Sequence, residues 1–343
     1  MTAALDGPEL WIKRDDQTGL ATGGNKTRAL EFLIADAIAQ GADVVVTAGA
    51  AQSNHARQTA AAAAHSGLAC TLALRGPEPG DAHGNLLLDR LVGARVHWVP
   101  GEDWAAELQA VADDLCKKGH HPYIIPYGGS NAVGAIGYVA GMEELLDQAS
   151  QQAIDFDRIV FASASGGFQA GVAVGARALE SQTQILGIAV EVSRNDLEQR
   201  VARLATETAT RLRLTQPVFT PNDLNINDQY LGGGYGVASA LEREAIYTLG
   251  RTEGILVDPV YTGRALGGLL DLIRRGEIGS DECILFWHTG GFPGLFMPQY
   301  AGFLAEPDDM PTSVALDQAH SSDGRYDEYL YGECSIGHTH SRS

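Results

Sequence analysis

The string Gly23-Gly24-Asn25-Lys26-Thr27-Arg28 sets a lysine amine behind two glycines and ahead of an apolar run at helical spacing. Glycines let a backbone approach a ligand closely, and the helix that follows offers its positive end. A primary amine so placed can condense with a carbonyl to form an imine. Taken alone, the string reads as a solvated lysine at a helix start. Its company changes that reading, because an imine-forming cofactor also needs an anion cradle, a group for its ring oxygen and a partner for its ring nitrogen. Ser165, Gly166 and Gly167 follow the β-rich string from Arg158 to Ser163 and precede an apolar helical run, so their N–H groups can face a phosphate at a helix N-terminus. By itself this loop reads equally well as a glycine turn that only packs. No strand leads into a clean GxGxxG with a later acidic residue, and GxxxxGK[ST] does not occur, which removes the dinucleotide and P-loop readings.

These groups must be positioned by regular elements. From Arg28 to Ile38 the apolar residues Leu30, Leu33, Ile34, Ala37 and Ile38 fall on one helical face and Gly41 stops the run, so Lys26 stands just before a helix. Asp43 to Thr47 is a β-branched string suited to a buried parallel strand, and the alanine-rich segment from His55 to His65 follows with Asn54 as its expected N-cap. Further strands are expected at Ala69–Leu74, Arg95–Val99, Tyr123–Pro126, Arg158–Ser163, Ile185–Val192 and Cys283–His288. Strands alternating with helices predict an α/β protein with parallel sheets, whose strand ends carry the glycine-rich stretches.

A chain of 343 residues with 45% hydrophobic and 20% charged residues can bury the core of two lobes. Its net charge of −19 disfavours nucleic acid and anionic lipid as partners, since both are bound through Lys and Arg. No apolar run is long enough to span a membrane, and MTAALDGPEL has neither a basic segment nor an apolar signal core, so the cytoplasm is the expected location. Cys70, Cys116, Cys283 and Cys334 form no CxxC pair and suit reduced thiols, the first three as small core residues. Residues 306–343 turn polar and acidic and read as a mobile tail. There His338, His340 and Cys334 are too weak a pattern for a metal site, and none is expected.

Seven strings, in order LWIKRDD, GGNKTR, TAGAAQSNHARQTAA, PYGGSNAVGAIGY, GGGYG, EGILVDPVYTG and HTGGFPGLF, run from Leu10 to Phe296. In them the chain resembles the fold-type II pyridoxal-phosphate enzymes of the group that includes D-cysteine desulfhydrase, L-cysteate sulfo-lyase and 1-aminocyclopropane-1-carboxylate (ACC) deaminase. The resemblance implies a tryptophan synthase β-like α/β fold with two open twisted sheets, the larger one mixed. It implies a large lobe from residues 1–28 and 140–305, a small lobe from residues 29–139, pyridoxal 5'-phosphate between them, and a homodimer. It makes Lys26 the Schiff-base lysine. Asn25, Asn54, Ala164, Ser165, Gly166, Gly167, Thr262 and Thr289 then hold the cofactor, with Asn54 on the ring hydroxyl. Gln52, Ser53, Asn54, His55, Tyr235 and Tyr261 face a small amino-acid substrate, and Lys26, Ser53, Tyr235 and Tyr261 take part in the chemistry.

Thr262 separates the subgroups. ACC deaminases resemble DPVYEG and HLGG where this chain reads DPVYTG and HTGG. A carboxylate keeps the ring nitrogen protonated and the electron sink strong, as opening a cyclopropane demands, whereas a hydroxyl leaves a weaker sink that suffices to expel a good β leaving group. The chain departs from the family at Phe168 and Ala164 in the phosphate loop, and at Ala29, where a lysine is usual. The implied reaction is α,β-elimination from D-cysteine to pyruvate, ammonia and sulfide. L-cysteate releasing sulfite is the second reading and ACC the third. A PLP- or amino-acid-binding protein without turnover is the alternative outside enzymes.

Overall fold

A strand buried on both faces must be almost wholly apolar, and the string Val44–Ala50 (β2) meets that demand with six buried residues before its last, Thr47 being its one polar side chain. The computed structural model describes Met1 and residues 7–100 and 103–305. Beside β2 lie Ala69–Arg75 (β3), Arg95–Val99 (β4) and Pro122–Ile124 (β5), in the order β4-β3-β2-β5 and all parallel. A second sheet has the order β1-β9-β6-β7-β8, built from Glu9–Arg14 (β1), Arg158–Ser163 (β6), Gln184–Ala189 (β7), Asn225–Asn227 (β8) and Cys283–His288 (β9). Every pairing in it is parallel, so the expected mixed sheet is corrected: helical crossovers return each strand in the same direction.

The helices are Lys26–Ala39 (α1), Asn54–His65 (α2), Gly84–Leu91 (α3), Trp104–Lys117 (α4), Ala132–Gln151 (α5), Gly167–Ala178 (α6), Arg194–Arg211 (α7), Ala240–Glu253 (α8), Thr262–Arg274 (α9) and Pro298–Ala305 (α10). Lys26 is the first residue of α1 and does not precede it. The N-cap of α2 is Ser53, which accepts from the Ala56 N–H at 3.1 Å, in place of the expected Asn54. Of the three cysteines expected in the core, Cys70 is buried and Cys283 half-buried, while Cys116 is exposed on α4. The segment 306–343, with Cys334, His338 and His340, lies outside the described residues. Among the described residues no helix is long and apolar enough to cross a membrane, and no cluster of His, Cys, Asp and Glu is suited to a metal.

The helix that begins with Lys26 is set by its packing on α5. A Cβ at Gly137 would fall 2.0 Å from the Arg28 carbonyl oxygen, so the two helices meet backbone to backbone there. Arg28 then donates to Asp15 at 2.8 Å and to Glu144 of α5 at 2.9 Å, which pins the first turn of α1 to both neighbours. Gly137→Ala is expected to cost about 1 to 3 kcal/mol through overpacking and to loosen the Lys26 turn. Gly302→Ala, with nothing within 4 Å of the added carbon, should be neutral to stabilising. Denaturant midpoints of the two variants test this, and equal midpoints would contradict it.

Candidate active site

Parallel strands deliver their carboxyl ends to one edge, and the candidate site assembles there. Its walls are Asn25 and Lys26 at the start of α1, Ser53, Asn54 and His55 between β2 and α2, Tyr127 and Gly128 after β5, Ser163 to Gly166 with Phe168 after β6, Tyr261 before α9, and Thr289 and Gly290 after β9. A wider cleft around Lys13, Arg28 and Glu144 lies elsewhere, and its charged groups are paired with each other.

The turn that carries Lys26 is forced into an uncommon backbone. Ala21, Thr22, Gly23 and Gly24 all have positive φ, at 43°, 71°, 71° and 131°. A Cβ at Gly23 would lie 1.9 Å from the Asp16 carbonyl oxygen, which only glycine avoids. Fully buried Arg57 of α2 holds this turn, donating to Ala21 O, to Thr22 Oγ1 at 2.6 Å and to Gly23 O at 3.0 Å. The Asn25 N–H donates to Thr289 O at 3.0 Å, and a Cβ at Gly290 would come within 2.7 Å of Gly24 Cα, so the first and last motifs touch.

The Lys26 amine donates to Gly128 O at 2.9 Å. Burial lowers its pKa from the usual lysine value to about 8, against a smaller upward pull from Glu191. His55 accepts or donates at Thr47 Oγ1 across 2.9 Å, and burial drives its pKa well below the ordinary imidazole value, so it is neutral. The hydroxyls of Tyr235 and Tyr261 meet each other, with ring centroids 5.8 Å apart. Desolvation raises both phenols, Tyr261 well above its ordinary value and Tyr235 to about 12. Tyr235 sits in a loop whose carbonyls at Leu231, Gly234 and Val237 accept from buried Arg264 at 2.9, 3.0 and 2.6 Å, and Glu242 balances that charge.

Opposite Lys26, Gly166 takes the left-handed N-cap position of α6 at φ 88°. Ser130 Oγ donates to Ser165 Oγ at 2.7 Å and accepts from the Gly167 N–H at 3.2 Å. A Cβ at Gly128 would come within 2.4 Å of Ser165 Oγ, and one at Gly167 within 2.7 Å of Ser130 Oγ. A side chain at either position would collide with these serines, so glycine lets the two loops meet at the N-terminus of α6, an end suited to a phosphate. Phe168 lines the pocket and also packs in the core, edge-on to Tyr138, Phe161 and Trp287 at 4.9, 4.7 and 5.2 Å. The aromatic side chain at this place is a packing residue, and Ala29, also buried, adds no charge.

Not every expected residue reaches the pocket. Thr262 is fully buried in the first turn of α9, where its hydroxyl donates to Asp258 Oδ1 at 2.7 Å and accepts from the Asp258 N–H at 2.9 Å. It does not line the pocket, as Thr289 does, but its hydroxyl lies 3.3 Å from the carbonyl oxygen of Gly290, which does. The reason is local: the Asp258 carboxylate accepts the Tyr261 and Thr262 N–H groups at the start of α9 and takes the Thr262 hydroxyl with them. Gln52 is likewise turned to His83 O and the Asn85 N–H, at 3.0 and 2.9 Å, and Asn54 receives the Asn85 side-chain amide at 3.0 Å. Gly167 and Tyr235 do not line the pocket themselves, although the Tyr235 hydroxyl meets that of Tyr261, which does. The sequence reading missed Tyr127, Gly128, Arg57, Arg264 and Glu191. PYGGSN marked the loop of Tyr127 and Gly128, but no local pattern singled out the buried arginines.

A desolvated lysine, a glycine cradle at a helix N-terminus and neutral hydroxyls, all at the carboxyl edge of parallel strands, define an enzyme site for a phosphorylated carbonyl cofactor. Comparison with known proteins agrees. The model of the pyridoxal-phosphate dependent enzyme family matches residues 1–290. D-cysteine desulfhydrase of Yersinia enterocolitica is 45% identical over 296 residues, covering 84% of this chain and 88% of that protein. Among solved structures, an ACC deaminase homologue superposes with a TM-score of 0.80 at 39% identity over 88% of this chain and 90% of that one. Threonine deaminase isoform 2 of Solanum lycopersicum shares the fold, with a TM-score of 0.59 at 15% identity over 84% of this chain and 77% of that one. The chain belongs to the pyridoxal-phosphate dependent enzymes, with the fold-type II architecture.

Because the Lys26 amine titrates near pH 8, its nucleophilic form is already abundant at mildly alkaline pH. The rate at which apoprotein takes up pyridoxal phosphate, followed by absorbance, should therefore rise toward pH 8 and level off above it. A rate still climbing through pH 10 would show an unshifted lysine.

Proposed function

We propose that this chain catalyses the α,β-elimination of D-cysteine, which with one water gives pyruvate, ammonia and sulfide. The observation that carries the reading is the kinship with D-cysteine desulfhydrase along most of the chain, joined to Thr262 at the position where ACC deaminases carry a glutamate that would strengthen the electron sink. In this reading Lys26 holds the cofactor, the Ser165–Gly167 loop its phosphate, Asn54 its ring hydroxyl, and Thr262 and Thr289 stand at its ring nitrogen. Bound pyridoxal phosphate supplies a sink for the electrons left at the substrate's α-carbon.

The chain's own groups do the rest. Ser53 Oγ accepts the Ala56 N–H and keeps its own hydroxyl hydrogen to donate at the pocket wall, and it or the Lys26 amine carries the α-proton. Neutral Tyr235 and Tyr261 offer hydroxyl hydrogens to the departing sulfur. Residues 29–139 form the smaller lobe, with 1–28 and 140–305 the larger, and the enzyme acts as a cytoplasmic homodimer, as the family resemblance implies.

Purified protein offered D-cysteine, L-cysteine, L-cysteate and ACC, with sulfide, sulfite and 2-oxo acids measured separately, tests the proposal. Sulfide from D-cysteine is expected to dominate. Lys26→Ala should abolish it, and Ser53→Ala should lower kcat by about 10²-fold while costing about 1 kcal/mol of stability through the lost cap. Faster release of sulfite from L-cysteate, or of 2-oxobutyrate from ACC, would overturn the reading.

A further inference from the structure

Glu191 lies just past β7, the strand that pairs with β6 in the register Ser163↔Ala189. It therefore flanks Ser165 at the same edge. Its Oε1 accepts from the Tyr127 hydroxyl at 3.1 Å, and Tyr127 lines the pocket with Lys26. Its Oε2 is buried and has no hydrogen-bond partner among the described residues. The carboxylate acts electrostatically on Lys26, Tyr127, Tyr235 and Tyr261, which are the groups proposed to surround the substrate and their nearest neighbour.

The other charged groups near these phenols are already engaged. Asp258 also bears on Tyr235, but its oxygens accept from the N–H groups of Val260, Tyr261 and Thr262 and from the Thr262 hydroxyl. Arg200 bears on Tyr127, yet its guanidinium donates to Ala164 O at 3.2 Å on the loop side. His55 is neutral. Glu191 forms no ion pair among the described residues, so its negative charge is left to act on whatever enters the pocket.

Resting on the proposed amino-acid substrate, we propose that Glu191 is a specificity residue that filters the substrate's β-substituent by charge. It admits a neutral group such as a thiol and disfavours a second negative charge such as a sulfonate or carboxylate. A like charge in a site of low effective dielectric should lower affinity by about tenfold or more.

The test compares D-asparagine with D-aspartate, which are isosteric and differ in that charge, bound to the holoenzyme and followed by cofactor absorbance. Wild type should bind D-asparagine at least about tenfold more tightly. Glu191→Gln should bring the ratio to within about threefold, while Tyr127→Phe, which keeps the carboxylate, should preserve the preference. Should Glu191→Gln not fold, Glu191→Asp against Glu191→Ala reads the same difference. Equal binding by wild type, or a preference that survives loss of the carboxylate, overturns the filter. A protein that keeps the preference but releases no sulfide from D-cysteine refutes the proposed reaction alone. One that binds neither amino acid refutes both.

Discussion

Taking a primary amine out of water is the constraint on which this structure depends. A lysine in solvent is protonated at neutral pH and cannot attack a carbonyl, and removing its hydration is what brings Lys26 to about 8. Desolvation is unfavourable for the charged form, so the surrounding chain must hold the amine in place. It does so with the left-handed turn at Ala21–Gly24, the Arg57 bonds to that turn, and the backbone contact between α1 and α5 at Gly137. Arg57 is itself desolvated, which lowers its pKa to about 10, and Asp89 offsets part of that effect. One buried charge thus positions another group that must be kept neutral.

The parallel sheets supply the second requirement, convergence. Each βα turn in such a sheet ends at the same edge, so loops distant in sequence meet without long excursions. The Asn25 N–H on Thr289 O, the Lys26 amine on Gly128 O and the Ser130 hydroxyl on Ser165 tie four motifs into one wall. These bonds depend on glycine where the chain passes close to itself, at Gly290 against the Gly24 backbone and at Gly128 against the Ser165 side chain. The same edge accommodates Phe168 in the phosphate loop because its ring joins the core and leaves the cradle to the backbone.

Elements with strong periodicity were legible in the sequence, and those set by tertiary partners were not. Arg158–Ser163, Cys283–His288 and Arg95–Val99 match their expected bounds because apolar or β-branched strings flanked by breakers leave little choice. β1, with Lys13 and Arg14 in it, and the three-residue Asn-Ile-Asn strand β8 carry no such pattern; pairing with β9 and β7 makes them strands. Lys26, Ser53 and Ser165 were readable as site residues because glycine runs and strand ends mark them. Thr262 was legible as a motif residue, but the turn of its hydroxyl toward Asp258 is set by the fold and not by the motif. Glu191 and Tyr127 form a pair separated by 64 residues, a proximity no local spacing encodes.

The central claim is that Lys26 is the residue to which the cofactor is attached. Reduction of the pyridoxal-phosphate-loaded protein with borohydride, followed by proteolysis and mass mapping, tests it directly. The account predicts a single pyridoxyl label on the peptide containing Lys26, and no label there in Lys26→Ala. A label on another lysine, or a protein that takes up no cofactor, would contradict it.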